Sequence, residues 1–222
     1  MGALRSCVIL AGGVGRRIGS EKAFLEFFGM TMIERTVEVA GQVAGDLVVV
    51  GRDMDQLRRL KAVVPEARLV ADSVQGFGPV AGLAAGMAAA EGELALAVGC
   101  DLPFINPRVV DLLFDLAEGY DAAVPEREGG LLEPLHAVYK AGFMARACRE
   151  ALAAGERRIR PPLEGLRVKT VSLDLLRPLD PDLLSLFNLN TDEDLIEARR
   201  IEEEVRGGAV GSGISRRRSR RR

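Results

Sequence analysis

The sequence predicts an α/β domain in which a mostly parallel central sheet is covered by helices on both faces. Three observations carry that expectation. Short apolar runs recur along the chain, among them Cys7-Val8-Ile9-Leu10, Leu47-Val48-Val49-Val50 and Ala95-Leu96-Ala97-Val98. They are apolar throughout rather than at alternate positions, as strands buried on both faces are. Helix-like stretches alternate with them, the order that produces parallel strands joined by crossovers. The 222-residue chain, 48% hydrophobic and 28% charged, is long enough to bury a sizeable core and reads as one domain with a tail.

The elements follow in order. A first strand covers 6–10. A helix over 32–43 places Ile33, Val37, Ala40 and Ala44 on one face. A second strand spans 46–50, a helix 55–63 and a short strand 67–71. An Ala-rich helix over 82–91 follows Gly78-Pro79. The segment 93–100 is a nearly all-apolar strand. Asn106 and Pro107 have the residue types of a helix N-cap and first turn, for a helix to about 118. Strands are expected at 122–125 and 136–139, then a helix over 142–154 ended by Gly155 and a strand over 169–173. A last helix covers about 191–206, capped by Asn190 or Thr191 with Glu193 and Asp194 in its first turn.

Charge is unevenly spread. The net charge is −2, but residues 215–222 include six arginines, and removing those six positive charges leaves −8 on the rest. The Gly-rich stretch 207–213 before them has linker composition. The chain is therefore divided into a domain over 1–206 and a flexible Gly- and Arg-rich tail over 207–222. The tail is a solvated basic terminus or a weak polyanion contact. No apolar stretch reaches membrane-spanning length, and no signal peptide is expected before a strand that starts almost at once. Cys7, Cys100 and Cys148 are an odd number without metal-ligand spacing. They read as small buried hydrophobes of a reducing compartment, hence a cytoplasmic protein.

The densest information lies at residues 10–22: Leu10-Ala11-Gly12-Gly13-Val14-Gly15-Arg16-Arg17-Ile18-Gly19-Ser20-Glu21-Lys22, directly after the first strand. Glycines let backbone N–H groups approach a ligand, and Arg16, Arg17 and Lys22 add positive charge. That combination suits a polyphosphate. It is neither a Walker loop nor the Gly-x-Gly-x-x-Gly of dinucleotide folds.

Further along, Asp101 follows the strand ending at Cys100, where ligands of such sheets sit. One carboxylate together with substrate phosphates suffices for magnesium. Asp72, before the glycine-rich 76–82 segment, is either a ligand of magnesium, ribose or acceptor, or an Asx turn at the surface. Asn188 and Asn190 flank Leu189 and either face the site or belong to the helix cap. His136, the only histidine, reads as a structural residue at a strand start.

These segments resemble the molybdenum cofactor guanylyltransferase (MobA) family of the nucleotidyltransferase superfamily. The likeness rests on Leu10-Ala11-Gly12-Gly13 with Arg17, Gly19 and Lys22; Asp72 with Gly78-Pro79-Val80-Ala81-Gly82; Cys100-Asp101-Leu102-Pro103; Pro134-Leu135-His136-Ala137; Ala154-Gly155-Glu156-Arg157-Arg158; and Asn188-Leu189-Asn190-Thr191. It departs from the family at Ile18, Glu21, Gly15 and Asp192, and no Asn follows the second strand at Gly51-Arg52.

The resemblance implies a Rossmann-like three-layer nucleotidyltransferase fold and transfer of GMP from GTP to Mo-molybdopterin, releasing pyrophosphate. It implies Arg17, Lys22 and Asp101 as catalytic residues, with Mg²⁺ on Asp101. Leu10, Ala11, Gly12, Gly13, Lys22, Asp72 and Asp101 would bind the nucleotide, and Gly78, Pro79, Asn188 and Asn190 the acceptor. The implied partners are GTP, Mo-molybdopterin and, transiently, molybdenum-insertion or molybdoenzyme-maturation proteins, with no membrane and no specific nucleic acid. A cytidylyltransferase on the same or a related phosphorylated acceptor is the nearest alternative. A nucleotide carrier without catalysis is the alternative from another class.

Overall fold

The computed structural model describes residues 3–12, 21–72, 74 and 76–208. The chain forms β1 (Arg5–Leu10), a 3-10 turn (Lys22–Phe24), β2 (Glu26–Phe27), β3 (Met30–Thr31), α1 (Met32–Gly41), β4 (Asp46–Gly51), α2 (Met54–Val63), β5 (Arg68–Ala71), α3 (Pro79–Ala89), β6 (Leu94–Gly99) and α4 (Pro107–Leu116). There follow β7 (Ala122–Arg127), β8 (Leu131–Leu132), β9 (His136–Lys140), α5 (Ala141–Ala153), α6 (Arg160–Leu163), β10 (Val168–Ser172), α7 (Leu173–Leu176), a second 3-10 turn (Leu184–Leu186) and α8 (Asp192–Gly208).

The main sheet runs β10-β7-β9-β6-β1-β4-β5, with β8 hydrogen-bonded to β7. The pairs β6–β1, β1–β4, β4–β5 and β10–β7 are parallel. The exceptions are β9, antiparallel to both β6 and β7, and the short β8, antiparallel to β7. From β1 the chain steps outward through β4 and β5, then returns to place β6 on the other side of β1. The succession reverses there, which opens a crevice beyond the carboxyl ends of β1 and β6.

Two layers of helices cover the sheet. Residues of α1, α2, α4 and α7 share one core with Cys7, Ile9, Val49, Leu96 and Val98. Residues of α3, α5 and α6 share the other with Val8, Val48, Val50, Ala95 and Ala97. Strand residues alternate between the two cores, so neither face of the central strands meets water. A third, smaller core joins Phe27, Met32, Phe104, Leu189, Ala198 and Ile201 and seats α8 against the β2–β3 hairpin.

Local chemistry accounts for the helix starts. Thr31 and Glu34 form a capping box at α1. Asp53 caps α2 and Asn106 caps α4, with Pro107 in the first turn. Pro79 likewise opens α3, three residues before the expected start, because its fixed φ and missing N–H suit that position. Among the described residues no helix is long and apolar enough to cross a membrane.

Candidate active site

Backbone continuity beyond the sheet brings the site together. Ala11 N donates to Val50 O (2.9 Å) and Cys100 N to Leu10 O (3.2 Å), so the segments leaving β1, β4 and β6 stay in register past their last ladder bonds. Above them lies a cleft of about 410 Å³, lined by Leu10, Gly12, Lys22, Arg52, Asp72, Gly78, Pro79, Asp101 and neighbouring residues.

Lys22 and Asp101, 79 residues apart, meet here. The buried Lys22 ammonium donates to Asp101 Oδ2 (3.0 Å) and to Asn190 Oδ1 (3.0 Å). Gly99 makes room for this carboxylate, because a Cβ there would run into Asp101 Oδ1. The segment after Asp101 is fixed by Arg35 Nε donating to Pro103 O (2.6 Å) and by Leu189 N donating to Asp101 O (2.9 Å). That last bond also carries Asn190 toward Lys22.

Asp72 forms the expected Asx-type turn, its Oδ1 accepting from Val74 N (3.1 Å), and lines the cleft. Burial pushes its carboxyl above the usual range against the weaker pull of the Val74 N–H. Gly78 has φ +76°, a conformation open to glycine, and leads into α3, whose first turn carries no side-chain cap. That positive helix end borders the cleft.

Cys100 also lines the cleft, but its thiol is buried, and that burial, and to a lesser extent Asp101, push it up to about 12. Such a thiol is inert at neutral pH.

Of the expected nucleotide residues, Leu10, Gly12, Lys22, Asp72 and Asp101 line the cleft; Ala11 lies just beneath it, fully buried. Gly78 and Pro79 line it too, whereas Asn188 is half-buried with its Nδ2 donating to Leu186 O (3.4 Å). Gly13 and Arg17 lie outside the described residues, as does the arginine tail. α8 extends two residues past the expected domain boundary, to Gly208. Thr191 caps it, with Oγ1 accepting from Asp194 N (3.1 Å), while Asp194 Oδ2 accepts from Asn190 N (2.8 Å) and Thr191 N (2.9 Å).

His136 is buried behind the site. Its Nδ1 bonds to Ser185 O (2.9 Å), and burial lowers its pKa to about 4. The Asp180 carboxylate accepts from Leu184 N (3.1 Å) and Ser185 N (2.8 Å), and Arg127 donates to Leu186 O. These side chains staple the segment that leads to Asn188 and Asn190. Sequence reasoning did not single out Arg52 as a lining residue. An arginine one position past a strand end carries no signal of its own, and only its side-chain partners reveal its place.

Comparisons with known proteins bear on the family. The family model described as "MobA-like NTP transferase domain" matches residues 7–169. A probable molybdenum cofactor guanylyltransferase of Pelotomaculum thermopropionicum is 39% identical over 203 residues, covering 91% of this chain and 96% of that protein. One from Methanosarcina mazei is 38% identical over 198 residues, covering 86% and 88%. The crystal structure of molybdopterin-guanine dinucleotide biosynthesis protein A from Archaeoglobus fulgidus superimposes with a TM-score of 0.79 at 34% identity, covering 90% of this chain and 99% of that one. The family match reaches from β1 into β10 and takes in Lys22, Asp72 and Asp101. Sequence, fold and site therefore lead to one assignment: the chain belongs to the MobA-like NTP transferase family.

Proposed function

We propose that this protein transfers GMP from GTP to Mo-molybdopterin, yielding the molybdopterin guanine dinucleotide cofactor and pyrophosphate. The observation that carries the reading is the Lys22–Asp101 pair, 3.0 Å apart at the carboxyl end of the sheet and joined there by Asn190. An oxygen of the acceptor's terminal phosphate attacks the α-phosphorus of GTP in line. The bond from that phosphorus to the α–β bridging oxygen breaks, and pyrophosphate leaves with the electron pair. Such transfers depend on positioning and charge neutralisation more than on covalent help from the protein.

Lys22 faces the polyphosphate and offsets the charge that builds on the leaving group. Asp101 and Asn190 hold its ammonium in place. The backbone at Leu10, Ala11 and Gly12 lies against the base, and an added Cβ on Gly12 would make only ordinary contacts, 3.5 Å from Arg52 N. A demand for glycine at this position thus comes from the ligand side. Asp72 contacts nucleotide or metal; Gly78, Pro79, Asn188 and Asn190 face the acceptor; Gly13 and Arg17 complete the phosphate contacts.

Asp101 offers a hard oxygen donor, and Asp72 lines the same cleft. One or two carboxylates shared with substrate phosphates suit Mg²⁺. When bound, that ion would neutralise phosphate charge and polarise the P–O bonds. A cytoplasmic location and transient contact with insertion or maturation proteins, which would take over the product, belong to the same reading; the three buried free thiols fit a reducing compartment.

The test is pyrophosphate release from Mg²⁺, Mo-molybdopterin and each NTP in turn. Release with GTP above all others is expected. Release with CTP and not GTP would replace this reading by the cytidylyl one, and binding without release would make the protein a carrier.

A further inference from the structure

Both segments that flank residues 13–20 in the chain are tied to one corner, where β4 ends and α2 begins. On the N-terminal side the tie is Gln56, which is 1% exposed. Its Nε2 donates to Ala11 O (3.0 Å) and its Oε1 accepts from Arg52 N (2.7 Å). On the C-terminal side the tie is Glu21, directly before Lys22. Its carboxylate accepts from the guanidinium of Arg52 on Oε1 (2.8 Å) and from that of Arg59 on Oε2 (2.7 Å). Arg59 also lies 4.0 Å over the Phe24 ring, and Phe24 ends the turn that Lys22 begins. Asp53 fixes the corner itself, accepting from Arg52 Nε (2.8 Å) and from Gln56 N (2.8 Å).

Leu57 and Leu60 already pack α2 against the sheet. A buried carboxamide adds nothing to that packing, and its desolvation is offset only by the two bonds it makes. Both bonds lead toward the cleft, to the carbonyl beside Gly12 and to the amide of Arg52, and both Gly12 and Arg52 line it.

We propose that the β4–α2 corner is a clamp that holds the Ala11–Gly12 backbone and the Lys22 turn in one fixed relation, with Gln56 and Glu21 as positioning residues for nucleotide binding. This rests on the nucleotide-binding reading of the cleft. Donors held in place before the ligand arrives need no ordering when it binds, so loosening either tie weakens nucleotide affinity first. The acceptor side, built from 78–79 and 188–190, is not tied to this corner by any of these bonds.

The experiment uses the full chain with four substitutions made singly: Glu21→Gln, Gln56→Leu, Gln56→Glu and, as a control, Arg58→Ala. Among the described residues Arg58 pairs only with Asp55, on the exposed side of α2. Calorimetry with GTP and Mg²⁺ gives Kd, and steady-state kinetics give KM for each substrate. Glu21→Gln and both Gln56 variants are expected to weaken GTP about tenfold each, as loss of one charge-assisted or buried hydrogen bond does, with KM for Mo-molybdopterin within about twofold. Arg58→Ala is expected to match wild type. Unchanged GTP affinity in folded Glu21→Gln and Gln56→Glu would overturn the clamp, as would equal weakening toward both substrates. Should Gln56→Leu fail to fold, the other two variants decide. A wild-type protein that binds none of the four NTPs would remove the nucleotide reading, and the clamp with it.

Discussion

Lys22 holds a single charge between two acceptors from distant parts of the chain, Asp101 and Asn190. Asp101→Asn keeps the size and part-exposed setting of the side chain but removes the anion. The protein is expected to fold with a melting temperature near that of wild type, and kcat to fall about 100-fold or more, about 2.7 kcal/mol of barrier. Circular dichroism and pyrophosphate release check the two halves; retained turnover would remove Asp101 from the chemistry. His136 yields a pH prediction. Its native pKa is about 4 against an ordinary 6.5, so between those values the unfolded chain binds a proton that the native state refuses. Its contribution is fully present above 6.5 and lost as pH falls through that window, up to about 3 kcal/mol. Urea unfolding from pH 4 to 7 should show that slope, and His136→Gln should flatten it. Asp101 and Asn190 were legible in the sequence because one sits just past an apolar run and the other just before a helix, and Lys22 because it closes the glycine- and arginine-rich stretch after the first strand. Gln56 was not, because a glutamine on a polar-looking helix normally faces water, and its burial is a tertiary fact.

α3 shows how an element's composition sets its distance from the sheet. Gly82 and Gly86, one turn apart, face Leu10, Val8 and Val50. A Cβ on Gly86 would collide with Val8 Cγ1 and stand 2.8 Å from Val50 Cγ2. Valine side chains have little rotamer freedom with which to yield. A Cβ on Gly82 meets the end of Leu10 at 3.2 Å, which can move aside. Gly86→Ala is therefore expected to destabilise by about 1–3 kcal/mol despite its better helix propensity, and Gly82→Ala by less than about 1 kcal/mol. In a chain of this size that separates the melting temperatures by several degrees, readable by calorimetry. Equal stabilities would mean that the helix rides freely over the sheet. Long elements were legible for the same reason that this packing is tight: the apolar runs and Ala-rich periodicity persist over many residues. The β2–β3 hairpin escaped because two-residue strands have no period to detect. The reversed direction of β9 escaped because Ala137-Val138-Tyr139 is equally apolar whichever way it runs.

At the scale of the whole molecule, three polar residues of the site each stand near an apolar residue of the smallest core. Phe27 lies five residues after Lys22, Phe104 three after Asp101, and Leu189 directly before Asn190; all pack in one cluster with Met32, Ala198 and Ile201. The cluster also orders the hairpin turn, where Phe28 N donates to Glu202 of α8 (2.7 Å) and Arg35 and Arg206 lie over the Phe28 ring. This core therefore helps fix the distance between segments far apart in the sequence, and a cavity within it should reach the site. Leu189, fully buried, is the sharpest probe. Leu189→Ala is expected to cost about 2–5 kcal/mol of stability. Met144→Ala, fully buried in the core under α5, should cost a similar amount. The two should part in function. At a temperature where both variants are fully folded, kcat/KM is expected to fall about tenfold or more for Leu189→Ala, about 1.4 kcal/mol, and to stay within about twofold of wild type for Met144→Ala. Matched losses would show that the site is sensitive to any equal loosening of the molecule, wherever it lies. A loss confined to Leu189→Ala would show that the small core, rather than the two large ones on the sheet, sets the spacing of Lys22, Asp101 and Asn190.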